Sequence, residues 1–195
     1  MSAKRPGRPP LTEGRKAEIR RDIARAAVRL FTTRGVAATS AEEIASEAGV
    51  SLRTLWRYFP GPGKENCVRP LLSTGIEEVA RALAGWSPDE DLPEALERLP
   101  RPELADVDTM LDLVRLTRTE PGVRAVWLRA HQDAEPVFAA GIAERSGRDP
   151  GDLDVKVEAA VVNAAMRVAV EHSADQEPPD LWGALRTALR ATTRR

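Results

Sequence analysis

Cysteine, histidine and aromatic residues are scarce in this chain of 195 residues, which has one cysteine, two histidines and 4% aromatic residues. Cys67 alone cannot form an internal disulfide or a cysteine-ligated zinc cluster. His131 and His172 leave little room for a histidine-rich metal site. The longest apolar run, residues 159–166, is shorter than a membrane span and is interrupted by Asn163. We therefore expect no metal, no cofactor and no contact with a membrane.

Enzyme signatures are missing as well. The sequence has no nucleophile elbow, no phosphate-binding loop and no paired-histidine metal motif, which argues against an enzyme. The N-terminus is basic and proline-rich and has no apolar stretch resembling a secretion signal, so we predict a cytoplasmic location. The composition, 42% hydrophobic and 30% charged, is typical of a globular protein.

Charge is distributed unevenly along the chain. Residues 1–64 contain 13 Lys and Arg against 6 Asp and Glu, whereas residues 65–195 contain 16 against 24. The first part is thus net positive and the second net negative, although the whole chain carries a net charge of only −1. Such asymmetry indicates an N-terminal part that binds nucleic acid, or a solvated basic surface that binds nothing.

Apolar residues recur at helical spacing along most of the chain, and no alternating strand pattern appears. The pattern predicts an all-α protein of about nine helices, in which an N-terminal three-helix domain precedes a C-terminal helical bundle. Proline and glycine clusters divide the chain into three parts: a flexible basic arm over 1–14, a helical segment over 15–66 and a longer helical segment over 67–195.

The segment from Ser40 to Phe59 has helix-turn-helix spacing. Ala45 is small enough for close helix approach, Gly49 permits a sharp turn four residues later, and Leu55 would anchor the second helix. The opposite face of that helix would then be free to enter a DNA major groove about 12 Å wide. A plain helical hairpin that binds no DNA has the same spacing. The side chains on the free face are Arg53, Thr54, Trp56, Arg57 and Tyr58.

Residues 39–51, followed by 54–59, resemble the DNA-binding domain of TetR-family transcriptional regulators, and residues 30–35 resemble the end of that family's first helix. The resemblance covers residues 15–66, which would be the DNA-binding domain, and implies that residues 67–195 form a ligand-binding and dimerisation domain. It implies a homodimer that binds a palindromic operator, represses transcription, and releases DNA when a small molecule occupies the C-terminal domain. An architectural DNA-binding protein without an effector is the alternative, because it would share the basic N-terminal part.

The resemblance also implies residue roles. Thr39 and Ser40 would contact phosphate, and Tyr58 and Lys64 would hold backbone phosphate. Trp56 departs from the family pattern, which usually has tyrosine there. The loop over 60–63 is longer than in the resembled family, and Pro70 follows it closely. Both departures affect whether Lys64 lies where that family contacts phosphate. The residues that would face bases are Leu52, Arg53, Thr54, Trp56 and Arg57.

The N-terminal arm contains a Gly-Arg-Pro unit centred on Arg8, which resembles the core of an AT-hook. Such a unit is thin enough to lie in a narrow minor groove, where negative potential attracts arginine. The alternative is a disordered basic tail that gives nonspecific, salt-sensitive attraction to DNA.

The helix predicted over residues 152–173 is apolar on nearly every side, which indicates burial on two sides. One side would meet the domain core and the other a second copy, with the last helix contributing to a four-helix dimer interface as in the resembled family. The alternative is the central helix of a monomeric bundle. The residues predicted for the dimer interface are Val155, Ala159, Val162, Ala169, Trp182, Leu185 and Leu189.

Two polar residues, Asn163 and Arg167, interrupt this apolar helix four residues apart. Because buried polar groups need partners, they would line a ligand pocket, or bond across the dimer or to backbone carbonyls. A mainly apolar pocket with few polar groups suits a hydrophobic small molecule; ordinary core packing is the alternative for its apolar members. The full set predicted for the pocket is Met110, Leu113, Val114, Trp127, His131, Phe138, Asn163, Met166 and Arg167.

Overall fold

The computed structural model describes residues 12–61, 63–73, 76 and 104–193. Within these residues the secondary structure is helical and no strand occurs, which confirms the all-α prediction. Of the arm predicted over 1–14, residues 1–11 lie outside the described residues. The helices are α1 (Glu13–Arg34), α2 (Ala41–Glu47), α3 (Leu52–Tyr58), a 3-10 helix (Lys64–Val68) continued as helix over 69–73, α4 (Leu104–Leu116), α5 (Pro121–Ser146), α6 (Leu153–Ala174) and α7 (Leu181–Thr193).

Local sequence signals set the helix ends. The Thr12 side chain accepts a hydrogen bond from the Arg15 amide at the start of α1. Ser40 and Glu43 form a capping box at the start of α2, since each side chain bonds the other residue's backbone amide. Such caps satisfy amides that the first helical turn leaves unpaired.

The first three helices share an apolar core with the 3-10 helix. Ile23 and Phe31 of α1 are fully or almost fully buried, as are Ile44 of α2 and Leu55 of α3. Cys67 in the 3-10 helix is buried in the same core. Truncating a fully buried leucine to alanine typically costs about 2–5 kcal/mol, so Leu55 holds α3 firmly against the other helices.

Helices α5, α6 and α7 pack together in the C-terminal part. α6 is apolar on two faces, as predicted. The residues predicted for the dimer interface, however, lie mostly on the face that packs against the chain's own core. Six of the seven residues predicted for a dimer interface are buried within the chain's own core, so that prediction is wrong for them, and Trp182 is only partly buried. Helical periodicity could not tell the two apolar faces apart. The six buried residues are Val155, Ala159, Val162, Ala169, Leu185 and Leu189.

The opposite face of α6 exposes a row of large apolar side chains. Val157, Val161 and Val168 are 53%, 44% and 53% exposed, and Leu153 at the helix start is 77% exposed. Their spacing of four, four and seven residues places them on one side of the helix. We call this row the α6 apolar face. Contiguous exposed apolar surface of this kind marks an interaction site.

Candidate nucleic-acid and effector sites

The turn between α2 and α3 has the geometry that helix-turn-helix spacing predicted. Gly49 adopts a φ of 66°, a left-handed conformation that glycine accepts without strain. Its amide donates to the Ser46 carbonyl at 3.1 Å, and the Val50 amide donates to the Ala45 carbonyl at 2.9 Å. Ser51 then caps α3 by accepting a hydrogen bond from the Thr54 amide at 3.2 Å.

α3 buries one side and exposes the other. Leu55 is fully buried, whereas Arg53, Trp56 and Arg57 are exposed, with Trp56 36% exposed. Leu52 and Thr54 are half-buried, and the Thr54 hydroxyl lies 2.9 Å from that of Ser51. α3 therefore presents two arginines and one flat indole ring to solvent, with no acidic residue in the helix.

Arginines in this part of the chain fall into two classes. On α1, Arg29 pairs with Glu47 at 3.1 Å and Arg34 pairs with Glu43 at 3.0 Å. By contrast, neither Arg53 nor Arg57 has a carboxylate partner within the described residues. An unpaired guanidinium keeps its donors available for the bidentate pairing that it makes with guanine or phosphate.

A residue that sequence reasoning missed joins this surface. Arg20 of α1 places its guanidinium carbon 5.5 Å from the centre of the Tyr58 ring, and Arg57 approaches the same ring at 5.2 Å. Both distances suit cation–π contacts. Tyr58 therefore lies between two cations, which concentrates positive charge at the end of α3. No sequence pattern links residues 20 and 58, because the contact depends on how α1 crosses α3.

Thr39 and Ser40 were both predicted to contact phosphate, but the structure buries Thr39 and exposes Ser40. Thr39 is only 2% exposed, and its hydroxyl donates to the Gly35 carbonyl at 2.9 Å. The predicted phosphate contact through the Thr39 side chain is therefore wrong, because the hydroxyl is used inside the domain. Ser40 is exposed, although its hydroxyl and amide both bond the Glu43 carboxylate.

Lys64 begins the 3-10 helix after the proline-rich loop and is half-buried. Its phosphate contact stays a prediction. Arg8 lies outside the described residues, so its minor-groove contact stays a prediction as well.

The predicted effector residues centre on a buried polar pair between α5 and α6. Nδ1 of His131 lies 2.7 Å from Oδ1 of Asn163, and Nδ2 of Asn163 donates to the His131 carbonyl at 2.9 Å. His131 is 5% exposed and Asn163 is 4% exposed. Burial lowers the pKa of His131, and the hydrogen bond that the ring makes to Asn163 opposes this shift, so the ring is neutral at pH 7.

A second polar group lies beside this pair. Trp127 donates its indole N–H to Oε1 of Glu171 at 2.8 Å, and Arg167 pairs with the same carboxylate at 3.0 Å. The Trp127 and His131 rings meet edge to face with their centres 4.3 Å apart. Arg167 therefore pairs with a carboxylate on its own helix through Nη1. Sequence reasoning placed Trp127 and Arg167 in one site but missed Glu171, which links them.

The remaining predicted effector residues belong to the same apolar core or pack against it. They are apolar and carry no charge. They are Met110, Leu113, Val114, Phe138 and Met166.

Groups suited to metal or nucleophilic chemistry are sparse. The part of the chain that the structure describes holds no cluster of three His, Cys, Asp or Glu side chains able to bind a metal ion. Burial, followed by the nearby Glu65 carboxylate, raises the pKa of the Cys67 thiol to about 12. The thiol is therefore protonated and a poor nucleophile at neutral pH. Within residues 12–73 and 104–193, as far as these are described, no helix combines the length and hydrophobicity needed to cross a bilayer.

Comparison with known proteins identifies both parts of the chain. Residues 23–71 match the model of bacterial regulatory proteins of the tetR family, and residues 87–195 match the MftR C-terminal domain. The HTH-type transcriptional regulator TcmR of Streptomyces glaucescens is 32% identical over 157 residues, which are 75% of this chain and 69% of that protein. The chain belongs to the TetR family of transcriptional regulators.

Solved TetR-family structures share the fold. FadR of Thermus thermophilus, a transcriptional repressor solved in complex with lauroyl-CoA, is 27% identical and aligns over 89% of this chain and 92% of its own, with a TM-score of 0.50. GusR of Salmonella enterica is 20% identical and aligns over 93% of this chain and 97% of its own, with a TM-score of 0.53. As a TetR-family member, the chain is a DNA-binding regulator, which confirms the recognition made from residues 39–59.

Proposed function

We propose that this TetR-family protein is a repressor that binds a palindromic operator as a homodimer and leaves DNA when a small molecule enters its C-terminal domain. Residues 15–66 would bind DNA, and residues 67–195 would dimerise and bind the effector. The observation that carries the proposal is the pair of exposed arginines on α3, Arg53 and Arg57, which have no carboxylate partner in the described part of the chain. Unneutralised guanidinium groups on a helix held outward are what major-groove readout requires.

The α6 apolar face supports a second copy as the partner. A helix-turn-helix protein that reads a palindrome needs two recognition helices related by a two-fold axis. Val157, Val161 and Val168 present apolar surface that one chain leaves exposed, and a two-fold axis would bring the same face of two copies together. α7 packs against α6 and would complete the interface.

α5 supplies a route from the effector site to the DNA-binding domain. His131 lies on its inner side, while Asp133, two residues further on, pairs with Arg69 at 2.8 Å. At its first turn, Gly122 lies against the Glu65 side chain, which a Cβ at position 122 would approach to 3.0 Å. Glu65 and Arg69 belong to the segment that follows the recognition helix. A ligand that shifts α5 would therefore shift this segment and, with it, α3.

The effector is expected to be mainly apolar, because apolar side chains surround the polar pair. FadR of Thermus thermophilus, solved with lauroyl-CoA, supports an effector with an apolar body.

Selection of bound sequences from random double-stranded DNA tests the proposal. We expect a palindrome whose half-site centres are about 34–36 Å apart or a multiple of that spacing. Fluorescence anisotropy should give an affinity for this site at least about 1,000-fold above that for random DNA at the same salt concentration. A reporter placed behind the selected site should become more active when the protein is removed.

Uniform, salt-sensitive binding with no selected palindrome would contradict the proposal and favour an architectural DNA-binding protein. Lower reporter activity on removal of the protein would indicate an activator instead of a repressor.

A further inference from the structure

The Asn163 amide fixes which nitrogen of His131 carries the proton. Nδ2 of Asn163 donates to the His131 backbone carbonyl, which can only accept, so Oδ1 must be the atom facing Nδ1 of the ring. Because Oδ1 also only accepts, Nδ1 must carry the hydrogen. Nε2 of the neutral ring is then a lone-pair acceptor.

This acceptor is enclosed but has no hydrogen-bond partner among the described residues. Nε2 of His131 is a buried nitrogen on a residue only 5% exposed. The Trp127 indole N–H donates to Glu171, and the hydrogen bonds that Arg167 makes through Nη1 go to the same carboxylate. Leaving a buried acceptor unsatisfied costs about 1–3 kcal/mol, so Nε2 calls for a donor that the described residues do not provide.

We propose that Nε2 of His131 is the hydrogen-bond acceptor that recognises the effector, and that the effector is an apolar molecule carrying an uncharged hydroxyl or N–H donor. This inference rests on the proposed function, since it names the ligand class of the same effector site. Apolar side chains occupy the turns next to the ring: Trp127, Ala134 and Phe138 on α5, and Met166 on α6.

The same geometry discriminates against acids. A carboxylate ligand offers only acceptors, so its oxygens would meet the lone pair of Nε2 with no hydrogen between them. The nearby cation, Arg167, is paired with the Glu171 carboxylate, so the two charges offset each other and give an acid no net attraction. Burial keeps His131 neutral, so the ring offers no compensating charge at pH 7. An apolar acid should therefore bind more weakly than the alcohol or phenol of the same shape.

Only two histidines are present in the chain, which makes the test direct. The probes are 2-naphthol and 2-methylnaphthalene, which have similar shapes and differ in the donor, together with 2-naphthoate. The observable is the ¹⁵N NMR resonance of His131 Nε2 in the intact protein at pH 7.5. The exposed His172, which lies 3.0 Å from the Gln176 amide nitrogen, is assigned by the variant His172→Gln.

We expect millimolar 2-naphthol to move the His131 Nε2 resonance in the direction of hydrogen-bond acceptance, while 2-methylnaphthalene and 2-naphthoate do not. The affinity ratio of 2-naphthol to 2-methylnaphthalene should fall about 3- to 10-fold in His131→Phe, the equivalent of one net hydrogen bond. The wild-type titrations need no variant, so misfolding of His131→Phe leaves them valid.

No shift with 2-naphthol, equal shifts with the two neutral probes, or an unchanged affinity ratio in His131→Phe would overturn the inference. Equal shifts would mean that Nε2 bonds an internal water instead of the ligand. The titrations contain no DNA, so a failure here is distinguishable from a failure of operator selection, which tests the proposed regulator function.

Discussion

The two parts of this protein leave opposite kinds of side chain exposed. Around α3, the exposed side chains include Arg53 and Arg57, which have no carboxylate partner among the described residues, while the apolar Leu55 is buried. On α6, the exposed residues include Val157 and Val161, while the polar Asn163 is buried. An unneutralised cation fits a polyanion and an exposed apolar row fits another apolar surface. The kind of partner that each part binds can therefore be inferred from the side chains that this part leaves exposed.

Placing a charge on the α6 apolar face should have the largest effect. Val161→Asp would bury an unpaired carboxylate in a two-fold interface, at a cost of about 3–5 kcal/mol, or several hundred-fold or more in the dimer dissociation constant. Light scattering and analytical ultracentrifugation measure this. The matched control is Val137→Asp on α5, since Val137 is 46% and Val161 44% exposed. Equal dimer affinities for the two variants, or a wild-type monomer at micromolar concentration, would place the interface elsewhere.

The second-largest effect is expected when the buried side-chain amide of Asn163 is removed. Asn163→Ala leaves the Nδ1–H of His131 without its partner and removes one hydrogen bond to the His131 carbonyl, which should lower the free energy of unfolding by about 1–3 kcal/mol. Urea denaturation gives the value. The chain offers a control in its other histidine–amide pair, because Gln176 and His172 are exposed and Gln176→Ala should cost less than about 0.5 kcal/mol. Similar losses for the two variants would show that burial of the pair does not matter.

The depressed pKa of His131 predicts a pH dependence of stability. The unfolded chain binds a proton on this ring near the ordinary value of about 6.5, whereas the folded protein does so only at lower pH. The stability is therefore fully present above about pH 6.5 and falls as the pH drops towards the folded pKa, by up to about 1.4 kcal/mol per pH unit. Denaturation of wild-type protein, His172→Gln and His131→Phe between pH 5 and 8 checks this. His131→Phe should lose the part of the pH dependence of stability that His131 contributes. If the variant keeps the full wild-type dependence, the assignment of this effect to His131 is refuted.

The smallest effect is expected for Arg20, which lies beside Tyr58. If Arg20 adds to the phosphate-facing charge, Arg20→Ala should weaken binding to selected and random DNA equally and reduce the slope of log affinity against log salt by about 1. Arg129→Ala on α5, far along the chain from α3, is the control and should leave the slope unchanged. A loss confined to the selected site would instead make Arg20 a base-reading residue.

Short-range features of the fold could be predicted from the sequence. The capping box of Ser40 and Glu43 and the turn at Gly49 depend on residues within four positions of one another, so the sequence pattern contains the whole interaction. The same holds for the outward face of α3, because helical periodicity separates Leu55 from Arg53 and Arg57.

Features that depend on the packing of distant elements could not be predicted in this way. The burial of Thr39 against α1 and the approach of Arg20 to Tyr58 follow from how α1 crosses the other helices. α6 carries apolar residues on two sides, so helical periodicity could not show which side packs against the core. The dimer residues were therefore assigned to the wrong face, since Val162 is buried and Val161 is exposed.

One measurement tests the central claim most directly: the ratio of affinities for the selected operator and for random DNA, in two double variants. In Arg53→Ala/Arg57→Ala the ratio should fall by at least about 30-fold, because each bidentate base contact contributes about 1–3 kcal/mol of discrimination. In Arg29→Ala/Arg34→Ala, whose side chains pair with Glu47 and Glu43, it should change less than about fivefold, as expected for surface ion pairs. Equal changes in the two double variants, or an equal loss on operator and random DNA for the α3 variant, would contradict the claim that α3 reads base sequence.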